Sequence, residues 1–162
     1  MSSGNKTKVI AEEGKQELFV IREFEADREE VYQAFSDPDI LIQFFAPAGA
    51  IMSYTARDFR TGGHYRYAHT DSHGNIVCTF KGIFHEMKSP ELIIQTAELE
   101  GFPGLENALL ESMIFEELPG NRCRLTIHDI CFSVETRDAM LQSGMESGLI
   151  MIFNQLDDLL KK

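Results

Sequence analysis

Tryptophan is absent from this chain of 162 residues, and cysteine, proline and basic side chains are few. Cys78, Cys123 and Cys131 make an odd count with no CxxC pair, so neither a disulfide framework nor a structural zinc site is indicated. Lys and Arg number 15 against 26 Asp and Glu, a formal net charge of -11, with no local basic run. That balance opposes nucleic-acid phosphates and anionic membrane surfaces as partners. No apolar run approaches the roughly 20 residues needed to span a bilayer. The terminus Met1–Lys6 lacks the apolar core of a secretory signal. These absences lead us to expect a protein of the reducing cytoplasm. The 5 prolines stand at breaks, the first of them, Pro38, at the start of a short helix.

What is present is a core. Hydrophobic residues make up 43% of the chain and 12 of them are Phe, which is the composition of a folded globular chain. The length fits one domain, expected over 16–162 behind a polar, frayed terminus at 1–15. Glu17–Phe24 reads as a first strand. Asp27 then caps a helix, with Glu30 three residues on and Val31, Ala34 and Phe35 inward. A second short helix runs from Pro38 toward Phe44. Strands follow over 51–59, 64–69, 76–87 and 91–99, then an irregular loop over 100–107. A last hairpin, 108–117 and 122–134, turns around Leu118-Pro119-Gly120-Asn121. In its second arm Cys123, Leu125, Ile127, Asp129 and Cys131 share one face.

The chain is organised around its end. From Thr136 to Lys162, Leu141, Met145, Leu149, Ile152, Leu156 and Leu159 recur at steps of three and four, the face of one long helix. Gly144 and Gly148 lie on or beside that face, each costing about 1 kcal/mol relative to Ala in a helix interior. Two of them point to close approach of another backbone or a ligand. The run 149–153 is apolar all round and is expected to be clamped on most sides, by the sheet or by a second copy of the chain, which leaves monomer and homodimer open. The order β-α-α-β(6)-α implies an α+β architecture, one strongly curved antiparallel sheet wrapped around a long C-terminal helix.

That order and several stretches resemble the START-like (SRPBCC, or Bet v-like) superfamily with its helix-grip fold. Phe24-Glu25-Ala26 with Val31 to Pro38 is similar to the family's opening strand and helix. The block Asp58 to Arg66, which holds Gly62-Gly63-His64-Tyr65-Arg66, resembles an Asp-x-Arg-x-Gly-Gly-x-Tyr-Arg signature. Phe80 to Met87 followed by Pro90-Glu91-Leu92 matches the next block, and Gly148 matches the closing helix. Within the superfamily the resemblance is to the branch related to activators of the heat shock protein 90 ATPase. Phe44-Phe45 and Gly148-Leu149 stand where many members carry Trp. The resemblance implies a cavity between sheet and closing helix that holds an apolar molecule. It also implies a chaperone partner and a stress-response role as a second possibility, and a polyketide-type cyclase or hydrolase as a third.

Alternation places Tyr65, Tyr67, Phe80, Phe84, Met113, Phe115, Leu125 and Ile127 on one wall of such a cavity. Met145, Leu149 and Ile152 close the other side. The same residues could instead fill a solid core. Asp129 and Glu98 fall in phase with apolar faces, where a carboxyl has a raised pKa and can orient a ligand. The alternative is that each sits at a strand end and reaches solvent. The five His residues make no metal pattern and most read as surface or edge groups, with His64 and His69 on opposite faces of their strand. No Gly-x-Ser-x-Gly elbow is present, and we assign no catalytic residue, metal or cofactor. Gly62-Gly63 reads as a bend between strands, braced by Asp58 and Arg60.

Overall fold

The structure, a computed structural model, describes residues 7–101 and 108–161. Its strands are β1 (Thr7–Ile10), β2 (Glu17–Phe24), β3 (Ile51–Arg57), β4 (His64–Thr70), β5 (Ile76–Lys88), β6 (Leu92–Glu100), β7 (Leu109–Leu118) and β8 (Arg122–Ile130). Helices α1 (Arg28–Ser36) and α2 (Pro38–Leu41) follow β2, and α3 (Val134–Gln142) and α4 (Met145–Leu160) end the chain. All eight strands form one antiparallel sheet in the order β1-β2-β8-β7-β6-β5-β4-β3. It curves without closing. Register shifts at Tyr54/Ala56, His69/Thr70 and Phe84/Glu86 add local bends on the β3–β6 side. The architecture is the expected α+β helix grip.

Two local readings change. Residues 7–10, expected to be frayed, form β1 and pair with β2 from Thr7↔Arg22 to Ile10↔Phe19. Alternation of Thr7 and Val9 against Lys8 and Ile10 lets a short polar stretch join an existing edge. The single long terminal helix is two: α3 ends at Ser143, and Gly144 takes φ +87° as the cap of α4. A left-handed backbone is open to glycine at little cost, so Gly144 is a joint and not a helix-interior residue. The run 149–153 is held on most sides as expected, with Met151 exposed while Ile152 and Phe153 are buried. The irregular segment expected over 100–107 lies, from 102 onward, outside the described residues.

Other local readings hold. The Asp27 side chain accepts from the Glu30 backbone N–H at 2.9 Å and starts α1, which buries Val31, Tyr32, Ala34 and Phe35. Arg60 Nε donates to Asp58 Oδ1 at 3.0 Å beside the Gly62-Gly63 bend. Tyr32 and Phe35 pack on Phe115 with ring centroids 5.1 and 5.9 Å apart, so the sheet beneath α1 is solidly filled.

Polar pins hold the closing helices. Arg22 points inward from β2, fully buried, and donates to Thr7 Oγ1 at 2.9 Å and Asn154 Oδ1 at 3.1 Å. It also forms an ion pair with Asp157 of α4, between the rings of Phe24 and Phe153. Arg137 of α3 donates to the Glu12 and Glu17 carbonyls at 2.8 and 3.1 Å. Gln155 Nε2 donates to the Phe44 and Ala46 carbonyls at 2.7 and 2.8 Å, tying α4 to the segment after α2.

Removing one partner of a buried ion pair leaves a charge in the interior, which costs roughly 3–5 kcal/mol. Asp157→Ala is therefore expected to lower the unfolding free energy by about 3 kcal/mol, the low end because Asp157 itself is partly exposed. Urea denaturation measures it, and an unchanged midpoint would remove Arg22 as the anchor of α4.

Candidate ligand cavity

The solid packing under α1 does not extend along the whole sheet. Between β4–β8 and the two closing helices lies a space of about 440 Å³. Period-2 alternation supplies its sheet wall: Tyr65, Tyr67 and His69 from β4, Phe80 and Phe84 from β5, Gln95 and Ala97 from β6. Leu109, Glu111 and Met113 of β7 and Ile127 and Asp129 of β8 continue it. Met140, Met145, Gly148, Leu149 and Ile152 cover it from α3 and α4. A Cβ built on Gly148 meets no atom within 4 Å, so this glycine leaves room on the cavity side that any larger side chain would fill.

The aromatic part of the wall is stacked in series. Tyr65 and Tyr67 lie 5.9 Å apart and Tyr67 and Phe80 5.3 Å, centroid to centroid. The Tyr65 hydroxyl donates to the Thr96 carbonyl at 2.8 Å. That contact depends on Gly82, where a Cβ would stand 1.9 Å from the Thr96 oxygen and 2.6 Å from the tyrosine hydroxyl. Burial pushes both phenols up, well above the ordinary tyrosine range.

Polar groups interrupt this wall at two places. Gln95, Glu111 and Asp129 form one lateral row, paired in register across β6, β7 and β8. Gln95 Nε2 donates to Glu111 Oε1 at 2.8 Å, and Glu111 stands directly opposite Asp129 in the β7–β8 register. Asp129 is 5% exposed. Burial first, and the neighbouring Glu111 second, push its pKa well above the usual carboxylate value. Its Oδ1 has no hydrogen-bond partner. At the second place, His69 Nδ1 lies 3.6 Å from Cys78 Sγ, while the buried Nε2 has no partner. Burial lowers the His69 pKa, which keeps the ring neutral at physiological pH. Among the described residues no group of three or more His, Cys, Asp or Glu is placed to hold a metal ion.

The structure places Tyr65, Tyr67, Phe80, Phe84, Glu98, Met113, Asp129, Met145, Leu149 and Ile152 around this space. Phe115 and Leu125 are elsewhere: they are buried, but away from the cavity, and Phe115 packs on α1. Glu98 borders the space yet stands opposite the exposed Lys81 and shares strand parity with Glu100, whose side chain pairs with Arg66. The inward face of β6 is that of Ile93, Gln95 and Ala97, not that of Leu92, Ile94 and Glu98, because the apolar start of β6 occupies both parities. His69 departs from the surface or edge placement expected of most of the His residues and is buried at the inward parity of Tyr65 and Tyr67. Alternation alone would have found it, and Glu111 too, which shares the parity of Met113.

The profile of the family described as activator of Hsp90 ATPase homolog 1-like protein matches residues 25–161. The chain belongs to that family, and through it to the START-like superfamily. Members of the same fold include a Rhodobacter sphaeroides protein of known crystal structure, 20% identical over 94% of this chain and 97% of its own, TM-score 0.83. A Mycobacterium smegmatis crystal structure gives 22% identity over 96% of each chain and a TM-score of 0.82. A solution structure from Arthrobacter aurescens gives 23% identity, coverage of 94% and 90%, and a TM-score of 0.83. At these identities the likeness establishes the fold alone. No protein with a curated description matches. Among the described residues no helix of this family member is long and apolar enough to cross a membrane.

Because folding raises the Asp129 pKa, the native state binds the proton more tightly than the unfolded chain. Its stabilising contribution is complete below the unfolded value of 3.8 and declines as pH rises toward the raised native value. Asp129→Asn removes this dependence and keeps a donor to Glu111. The variant is expected to melt higher than the parent at pH 8 by about 2–4 °C, equivalent to roughly 1 kcal/mol, and to lose that advantage near pH 4. Melting curves across this range decide it; a gap independent of pH would mean that Asp129 is not the titrating group.

Proposed function

We propose that this protein binds a small amphipathic molecule in the space between the sheet and its closing helices. The observation that carries the reading is the pair of unpartnered buried polar atoms, Asp129 Oδ1 and His69 Nε2, on an otherwise apolar, largely aromatic wall. Buried polar groups ordinarily have partners, and a ligand site is mainly apolar with a few convergent polar groups. Gly148 supports the same reading, since a glycine inside a helix costs stability and this one faces open space. The three unpaired thiols fit a reducing compartment such as the cytoplasm.

Native mass spectrometry of the purified protein, before and after denaturation, tests it. A bound mass released on unfolding, or uptake of a neutral apolar dye such as Nile red, is expected. Gly148→Phe should fill the space and weaken uptake at least tenfold, while the melting temperature holds or rises. Uptake by Gly148→Phe equal to that of the parent would refute a site at this place.

A second reading has its own observation. Ile51, Thr70 and Ile76 are paired in register along one end of β3, β4 and β5, and Ile51, Ile76 and Val77 are exposed at 62%, 67% and 53%. Such an apolar edge suits contact with another protein, and the family description names a chaperone ATPase activator. Stimulation of Hsp90 ATPase by this chain, lost on Ile76→Lys, would establish it; no effect on the ATPase rate would dismiss it.

A further inference from the structure

Glu111 and Asp129 face one another across β7 and β8 at the acidic end of the cavity, with Gln95 completing the row. Burial and the facing Glu111 favour the neutral form of Asp129, which leaves this pair of carboxyl groups one formal negative charge. The other titratable lining groups do not offset that charge. Tyr65, Tyr67 and Cys78 are held neutral by burial, His69 is held neutral as well, and Glu98 is itself an acid. None of the described lining residues is Lys or Arg. A buried charge lacking a counter-charge is unfavourable, and Asp129 Oδ1 is an open acceptor position within the row. Close by, Tyr65, Tyr67, Phe80 and Phe84 present ring surfaces that attract a cation and exclude water.

We propose that the Gln95–Glu111–Asp129 row binds the protonated nitrogen of an amine whose apolar body lies against the aromatic wall. The ammonium supplies both the missing positive charge and a donor for Asp129 Oδ1. A hydroxyl supplies only the hydrogen bond, and a carboxylate is repelled. Selection among amphipathic molecules therefore runs amine, then alcohol, then acid. This rests on the cavity being a ligand site, as proposed above.

Isothermal titration at pH 7.5 with 1-naphthylmethylamine, 1-naphthalenemethanol and 1-naphthoic acid, which share one apolar body, tests the order. The amine is expected to bind at least tenfold more tightly than the alcohol, with the acid weakest. The double variant Glu111→Gln, Asp129→Asn removes the charge at nearly constant shape and should weaken the amine at least tenfold, so that the amine-to-alcohol ratio collapses. Thermal melting checks that this variant is folded; if it is not, the ranking by the parent protein decides alone. Alcohol or acid binding as tightly as the amine, or an amine preference that survives in the folded double variant, overturns the proposal while leaving the cavity reading intact. If none of the three binds, the amine proposal falls. Nile red uptake then shows whether the ligand site falls with it.

Discussion

A buried arginine fastens the closing helix to the sheet. Arg22 shares the inward face of β2 with Leu18, Val20 and Phe24, a position where an unpaired cation would be untenable. Asp157 and Asn154, three residues apart on α4, meet it together, which sets the rotation and height of that helix. Thr7 meets it from β1, which draws the first strand into the same arrangement. Once α4 is held there, Gly148, Leu149 and Ile152 have to face the β4–β8 part of the sheet.

The sheet then divides into two regions. Under α1 and the first half of β8, large rings meet directly: Tyr32 and Phe35 on Phe115, Phe24 on Phe153. Toward the other end, bulges in β3 and β5 bend the strands, and the helix presents glycine where a large side chain would be needed to reach them. Space remains there because close packing needs matched surfaces, and the closing helix supplies none at Gly148. The polar row enters this space from the strands that carry the least curvature-breaking irregularity, β7 and β8, whose register is uninterrupted.

Much of this was legible from residue order. The strand and helix sequence, the Asp27 cap, the bend near Gly62-Gly63 and the inward face of β8 all follow from period and turn chemistry, which act over a few residues. Asp129 could be picked out because it interrupts the apolar alternation of Leu125 and Ile127. Where the sequence misleads, the reasons differ. Glu98 lines the space from the parity opposite to that of Ile93, Gln95 and Ala97; β6 begins with Leu92-Ile93-Ile94, apolar on both parities, so that the strand does not declare which face is buried. For Phe115, alternation gives a face but not a depth along it, and the cavity lies elsewhere on that face. β1 does not stand out in the sequence because a four-residue strand has too short a pattern, and its pairing depends on an edge that only the folded β2 provides.

The sequence by itself determined the class of fold, the family and the apolar character of the interior, since these rest on patterns local in the chain. Tertiary structure alone decided where the interior is solid and where it is open, which carboxyl groups meet, and that Gly144 is a joint while Gly148 is a gap. Register and side-chain volume across nonadjacent strands settle those points. Gln95, Glu111 and Asp129 become neighbours only when β6, β7 and β8 align, and no spacing along the chain encodes that alignment.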